Sequence, residues 1–309
     1  MATSRKVLFS YAVFGASALI WGVNWPIMKV AVGLMAPLWF ATARVAFGCL
    51  SAFLFLAVLD RLHWPARADW PIILSVGILQ LAGAQMLIHA GLAYLPAGKS
   101  AILAYSTPLW VLPGAWAFLG ERLTRASKAG LACGMAGLLI LVDPMGLLAH
   151  WRGNLLLLLA SLAWAAAILH SRAHRWHLQP EHVLPWQLLV GTLVMAPIAY
   201  AVAGPVHLSL SQNLSIILLY NGPLATAFAV WGMVNAQKNL PAITSSLVFL
   251  IVPVIGLGAA TWALGEEPSI AEWLGFFLII LGVGLSALAS VSGRFRVGAK
   301  RIDLPRFRS

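Results

Sequence analysis

Ten runs of predominantly apolar residues follow one another along the chain, at approximately 7–30, 35–59, 70–92, 99–119, 127–143, 153–171, 183–203, 213–236, 242–264 and 270–291. A helix needs about 20 such residues to cross the hydrocarbon core of a bilayer. The breaks between runs are short and carry turn chemistry or charge: Ala36-Pro37, the segment from Asp60 to Asp69, Leu95-Pro96-Ala97-Gly98, Asp143-Pro144, Gly204-Pro205 and Leu240-Pro241. The pattern predicts an all-α membrane protein of ten transmembrane helices, the first run being the first helix rather than a cleaved leader.

Composition sharpens this reading. Hydrophobic residues make up 61% of the 309 positions and charged residues 9%, with a mean hydropathy of +0.88. Soluble domains carry roughly 25% charged residues, so lipid is the outer solvent. The net charge of +11 does not mark a nucleic-acid partner, because the basic residues lie in short connections and the tail. With a cytoplasmic N-terminus, sixteen of the twenty Lys and Arg residues fall on the inside, among them Arg61, Arg122, Arg172 and the tail from Arg294. Lys99 and Arg152 fall outside, and Lys29 and Arg44 within spans. The positive-inside bias places both termini in the cytoplasm, and the basic tail meets anionic lipid or serves orientation alone. Cys49 and Cys133 sit in apolar runs with no disulfide or metal spacing.

An internal repeat appears at a fixed offset of 145 residues. Leu95-Pro96-Ala97 returns as Leu240-Pro241-Ala242, Ser100 as Ser245, Pro108 as Pro253, Gly120-Glu121 as Gly265-Glu266, Gly130 as Gly275 and Gly137 as Gly282. The units are residues 1–145 and 146–292, followed by the basic tail 293–309. Each holds five spans, an odd number, so the second enters the membrane inverted. Inverted repeats are common in secondary transporters, whose substrate site lies near the midplane between the halves.

Trp21-Gly22-x-Asn24-Trp25-Pro26, Arg44 early in the second span, and proline-bearing fourth and ninth spans that each close on Gly-Glu resemble the drug/metabolite transporter superfamily, in its branch with two EamA-type repeats. The resemblance runs over roughly residues 10 to 291. It implies a multi-pass protein of the bacterial inner membrane and a secondary transporter, similar to exporters of amino acids including aromatic ones.

Polar groups inside a bilayer are costly and tend to face a bundle interior or an aqueous path. Pro26 removes a backbone donor, so the first span is expected to kink or unwind near Asn24, offering carbonyls and an amide to a substrate. Packing of Asn24 against a neighbouring helix is the bland alternative. Arg44 cannot lose its charge, yet no acidic residue sits mid-span; it meets a substrate carboxylate, backbone carbonyls, or Glu266 or Asp143 at span ends, or clamps the fold. Gln85 and His89 share a helical face, as do Trp231 and Asn235. Tyr105 precedes Pro108, and Ser245 precedes Pro253. Trp21 and Trp164 hold equivalent places in the two units, where they either stack on a substrate or fill volume. The candidate substrate-binding set is therefore Trp21, Asn24, Arg44, Gln85, His89, Tyr105, Trp164, Trp231, Asn235 and Ser245. Pro26, Pro108 and Pro253 are candidate hinges, and Glu121 and Glu266 candidate latches of closed states. Any one hydroxyl also suits helix packing.

Three features are decoys. Gly98-Lys99-Ser100 lacks the first glycine and the preceding strand of a phosphate loop. His170, His174 and His177 near the end of the sixth span lack a fourth metal ligand and adjoin Arg172 and Arg175, which favours a solvated helix end. Gly130, Gly134 and Gly137 with Gly275, Gly282 and Gly284 suit close helix packing, within one protomer or between two; monomer and homodimer both stand. No cofactor motif and no catalytic constellation is present. The expected activity is alternating-access transport of small amphipathic metabolites, amino acids first. Nucleosides, sugars or lipophilic cations, and a non-transporting scaffold, are the alternatives. With one lone His in the membrane, the movement is expected to be gradient-driven rather than proton-coupled.

The topology is checked with reporter fusions. Green fluorescent protein after Ser309 is expected to fluoresce and alkaline phosphatase after Gly204 to be active; an active phosphatase after Ser309 would overturn the orientation.

Overall fold

The computed structural model describes residues 2–121, 123–142, 147–206, 211–233 and 248–291. Among them there is no strand. The chain runs as α1 (Ala2–Leu34), α2 (Pro37–Val58), α3 (Arg67–Leu92), α4 (Ala97–Leu119), α5 (Arg125–Val142), α6 (Leu147–Ala173), α7 (Pro180–Ala203), α8 (Gln212–Met233), α9 (Val248–Leu264) and α10 (Ile270–Val291). Nine of these are long and apolar enough to cross a bilayer, and the described part of α9 is a shorter apolar helix. In hydrocarbon no water is available to satisfy backbone N–H and C=O groups, which is why each apolar run is helical in its described residues. Trp262 and Ile270 are 89% and 88% exposed, as only a lipid-facing surface tolerates so widely.

The packing repeats on a shift of five helices. α1 packs on α9 and α6 on α4; α2 packs on α8 and α7 on α3; α2 meets α7, and α5 meets α10. Glycines at +69° and +66° in φ, Gly120 and Gly265, end α4 and α9 in equivalent left-handed caps, a conformation glycine adopts without penalty. We call the side carrying the connections 59–66, 120–124 and 174–179 the N-terminal face, and the opposite side the far face.

The α5–α10 contact is built from small residues. An added Cβ on Gly130, Gly137 or Gly275 would lie within 3 Å of the partner helix's carbonyl oxygens. The glycine faces thus pair within one chain, with Ser286 filling the place beside Gly130, whereas a Cβ added at Gly284 would stand 3.9 Å from Leu250, its nearest neighbour.

Three segments depart from the regular α-helical ladder. Nine residues of α3, Val76–Ala84, and nine of α8, Tyr220–Phe228, are π-helical, a form that clusters at functional sites. α4 breaks at Tyr105-Ser106 and restarts at Thr107, with Pro108 in its first turn. Pro108 cannot donate to the Ala104 carbonyl one turn back; the Thr107 hydroxyl donates to that carbonyl instead, and the Ser106 hydroxyl to Leu103. The expected unwinding at Pro26 does not occur: α1 is helical from end to end, because α9 packs closely along it at Gly22 and Gly256. Pro253 likewise lies inside an unbroken α9.

Gly282→Ala is expected to be costly, because its Cβ would fall 2.5 Å from the Gly130 carbonyl oxygen and 2.6 Å from the Gly134 nitrogen. Overpacking of this kind costs about 1–3 kcal/mol. Thermal unfolding in detergent should show a lowered Tm for Gly282→Ala and none for Gly284→Ala.

Candidate functional site

A cavity of about 370 Å³ opens between α1, α2, α3, α4, α6 and α8, near the middle of the bundle and extending toward the N-terminal face. Its polar lining is Asn24, Arg44, Gln80, Gln85, Tyr105 and Thr226; Trp21, Trp25, Trp164 and Met28 supply much of the rest. All three irregular segments contribute to the wall: Gln80 and Leu81 from the first π segment, Ala225 and Thr226 from the second, and Tyr105 from the break in α4. The second π segment holds the wall directly. Its Ala225 carbonyl accepts the Trp21 indole N–H at 2.9 Å, and the Thr226 hydroxyl donates to the Asn221 carbonyl at 2.7 Å.

Arg44 is buried and is the one charged residue among the described lining residues. Its Nε and Nη2 donate to the Thr226 hydroxyl oxygen at 3.3 and 3.2 Å, and Nη1 lies 2.9 Å from the Met28 sulfur. A thioether is a weak acceptor, and among the described residues no carboxylate pairs with this guanidinium. Glu266 is engaged elsewhere and Asp143 lies outside the described residues. One helical turn before Met28 stands Asn24, 3% exposed, whose carbonyl Oδ1 has no hydrogen-bond partner in the described structure. The cavity thus presents a cation short of an anion, and near it an acceptor short of a donor. Beside them runs an aromatic wall in which Tyr105 meets Trp25 edge-on at 6.3 Å and Trp164 at 6.4 Å.

Six of the ten residues singled out in the sequence line this one cavity: Trp21, Asn24, Arg44, Gln85, Tyr105 and Trp164. His89 does not line it. It is fully buried against Phe40 at 5.3 Å, with Nδ1 2.6 Å from the Gln85 carbonyl oxygen and Nε2 unpartnered. Trp231 turns away into a separate groove with Phe55, Pro223 and Phe228 between α2, α7 and α8, because Thr226, Val230 and Met233, at helical spacing, take the cavity face of α8. Asn235 and Ser245 lie outside the described residues. Met28, Trp25 and Ile168 are lining residues that sequence reasoning missed; they are apolar and carry no signal to distinguish them from packing.

Hydrogen bonds tie helices together at the far face. Lys29 Nζ donates to the Leu92 and Leu95 carbonyls at 2.7 and 2.9 Å, tying α1 to the end of α3. The Glu266 carboxylate accepts the backbone N–H groups of Ala97 and Gly98 at 2.5 and 2.9 Å, placing negative charge on the N-terminus of α4, where unpaired donors and the helix dipole favour it. Toward the N-terminal face the cavity is bounded by Ile168, Val230 and Met233, and there Glu121 pairs with Arg172.

The EamA-like transporter family matches the chain twice, over residues 8–143 and 151–288. An uncharacterized transporter of Bacillus subtilis, YoaV, is 27% identical over 274 residues, 86% of this chain and 92% of its own length. A probable amino-acid metabolite efflux pump of Escherichia coli is 25% identical over 86% of this chain and 90% of its own. A probable terminal-alkyne amino-acid exporter of Streptantibioticus cattleyicolor is 28% identical over 72% and 74%. A crystal structure at 20% identity superposes with a TM-score of 0.63, covering 94% of this chain and 99% of that one, which establishes the shared fold.

Accessibility tests the shape of the cavity. With Cys49 and Cys133 replaced, Ile168→Cys and Val230→Cys are expected to react with a water-soluble maleimide applied from the N-terminal face and slowly from the far face. Leu103→Cys, fully buried away from the cavity, should stay unlabelled.

Proposed function

This chain belongs to the EamA-like transporter family, and we propose that it exports small amphipathic zwitterions, amino acids with apolar or aromatic side chains first among them, across the bacterial inner membrane. The observation that carries this reading is the pairing of Arg44, which has no carboxylate partner among the described residues, with the unsatisfied Asn24 Oδ1 in one cavity. A substrate carboxylate gives the guanidinium the charged acceptor it lacks, in the planar geometry Arg suits. The substrate ammonium donates to Asn24, and the side chain lies along Trp25, Tyr105 and Trp164, whose ring faces also attract a cation. Lipophilic cations fit poorly, since the described lining carries a positive charge and no negative one. The relatives named for amino-acid efflux support the same substrate class.

Movement follows alternating access between two halves. The Lys29 and Glu266 contacts are the far-face latch of this scheme, and Glu121 with Arg172, also paired in the present state, is the weaker contact at the N-terminal face, which we place in the cytoplasm. The break before Pro108 is the hinge best supported by geometry, because a helix already interrupted there bends at little cost. No acidic residue is among the described lining residues, and His89 is sealed behind Arg44, so transport runs down the substrate gradient without obligatory proton movement.

Uptake into proteoliposomes tests the assignment. L-phenylalanine or L-leucine is expected to be taken up saturably, and equally with or without an imposed pH gradient; their carboxamides should be poor substrates. A charge-assisted hydrogen bond is worth about 1.5–3 kcal/mol, so Arg44→Gln should weaken half-saturation by about 10- to 100-fold in protein that remains monodisperse. Equal transport of amino acid and carboxamide, unchanged by Arg44→Gln, would remove the basis of the proposal.

A further inference from the structure

We propose that Asp69, His174 and His177 form a binding site for one divalent transition-metal ion at the N-terminal face, a site distinct from the transport cavity. Asp69 begins α3 and is fully buried, while His174 and His177 belong to the connection between α6 and α7. One ligand atom from each lies within 4.8 Å of the others. Asp69 Oδ1 is 3.0 Å from His174 Nε2 and 3.3 Å from His177 Nδ1, separations close to those between neighbouring ligands of a tetrahedral zinc with bonds of about 2.0–2.2 Å.

The hydrogen bonding around Asp69 supports coordination over a simple polar clamp. Oδ1 also faces the His177 backbone N–H at 3.1 Å, and Oδ2 accepts the Leu178 N–H at 3.0 Å. Three nitrogens therefore crowd one oxygen that has two lone pairs, while the carboxylate itself is fixed by backbone donors. An ion between them takes both imidazoles in the tautomer that turns a lone pair inward, which replaces the two side-chain donors on Oδ1 and completes a two-histidine, one-carboxylate set. Imidazole nitrogen with a single carboxylate suits zinc, nickel, cobalt or copper and not magnesium or calcium. His177 is largely exposed, which leaves an approach from solvent and a coordination position for water. His170, which belonged with these two in the sequence pattern, is held instead by the Ser75 hydroxyl at 2.6 Å. The ion would join the start of α3, in the first half of the chain, to the α6–α7 connection in the second, and so oppose any separation of the halves at this face.

The test is titration calorimetry of Zn²⁺ into tag-free protein in detergent, with thermal unfolding in parallel. One saturable site per chain and a raised Tm are expected. His174→Gln and His177→Gln should each weaken binding at least tenfold and abolish the Tm shift. His63→Gln should leave both intact, although His63 and His182 also approach each other, at 3.2 Å, on this face. No saturable binding, binding that survives both His174→Gln and His177→Gln, or binding lost in His63→Gln would each overturn the assignment. Because His177 is exposed, His177→Gln decides the question alone if His174→Gln does not fold. None of these readouts involves transport, so their outcome is independent of the substrate proposed above.

Discussion

Inside hydrocarbon each backbone N–H and C=O must find a partner within the protein, and the rest of this architecture follows from that single requirement. It makes helices of all the apolar runs, and it restricts where a helix can be irregular. The three departures from the α-helical ladder, in α3, α4 and α8, all border the same cavity. There a freed carbonyl has somewhere to turn: Ala225 takes the Trp21 indole, and Leu103 and Ala104 take local hydroxyls. Elsewhere, where helices face lipid or one another, the helical conformation continues even past Pro26 and Pro253, which each leave out one bond. Irregular backbone and functional cavity thus coincide because one makes the other affordable.

Symmetric packing carries an asymmetric site. The helix contacts repeat on a shift of five, and the two π segments fall at nearly equivalent places in α3 and α8. The Gly-Glu caps repeat as well, but their carboxylates differ in partner: Glu266 binds backbone amides of α4, whereas Glu121 binds the Arg172 side chain. A carboxylate on fixed amides is held by rigid donors; one on an exposed arginine is screened by water and worth little on its own. Both contacts are formed in the structure, so the two faces differ in how firmly they are tied rather than in whether they are tied. The cavity is unequal too, since Arg44 and Asn24 both come from the first half.

The sequence made the spans legible because hydropathy and helix length in a membrane are fixed by the same thickness: the end of α2 and both ends of α10 fall within a residue of the apolar runs. It also exposed the glycine faces of α5 and α10, since close packing of backbones leaves room for no other residue. What it obscured was the backbone's response to proline. Pro26 and Pro108 look alike in sequence, yet only the second coincides with a break, because α1 is braced by α9 along Gly22 and Gly256 while α4 has hydroxyls ready to replace the lost bonds. The π segments carry no local signature that separates Gly77 or Gly222 from ordinary packing glycines. Trp231 faces away for another reason: at ordinary helical spacing it lies well round α8 from Thr226, whose face continues through Val230 and Met233. The histidine cluster was set aside for want of another ligand, and Asp69, some hundred residues upstream, is brought to it by the fold alone.

A buried arginine with a hydroxyl and a thioether for partners is a poor structural element. A guanidinium out of water needs several strong acceptors, and a protein that used Arg44 only as a clamp would gain from a carboxylate opposite it. In a carrier the deficit has a use. Too strong a resident partner would compete with each arriving substrate, while none at all would leave the charge too costly to keep in the membrane. Thr226 and Met28 occupy the donors without neutralising them, so on the function proposed above a substrate carboxylate would exchange weak contacts for strong ones. The gain would then be the difference between the two sets rather than the whole of the new one, which would keep the substrate bound loosely enough to leave on the other side.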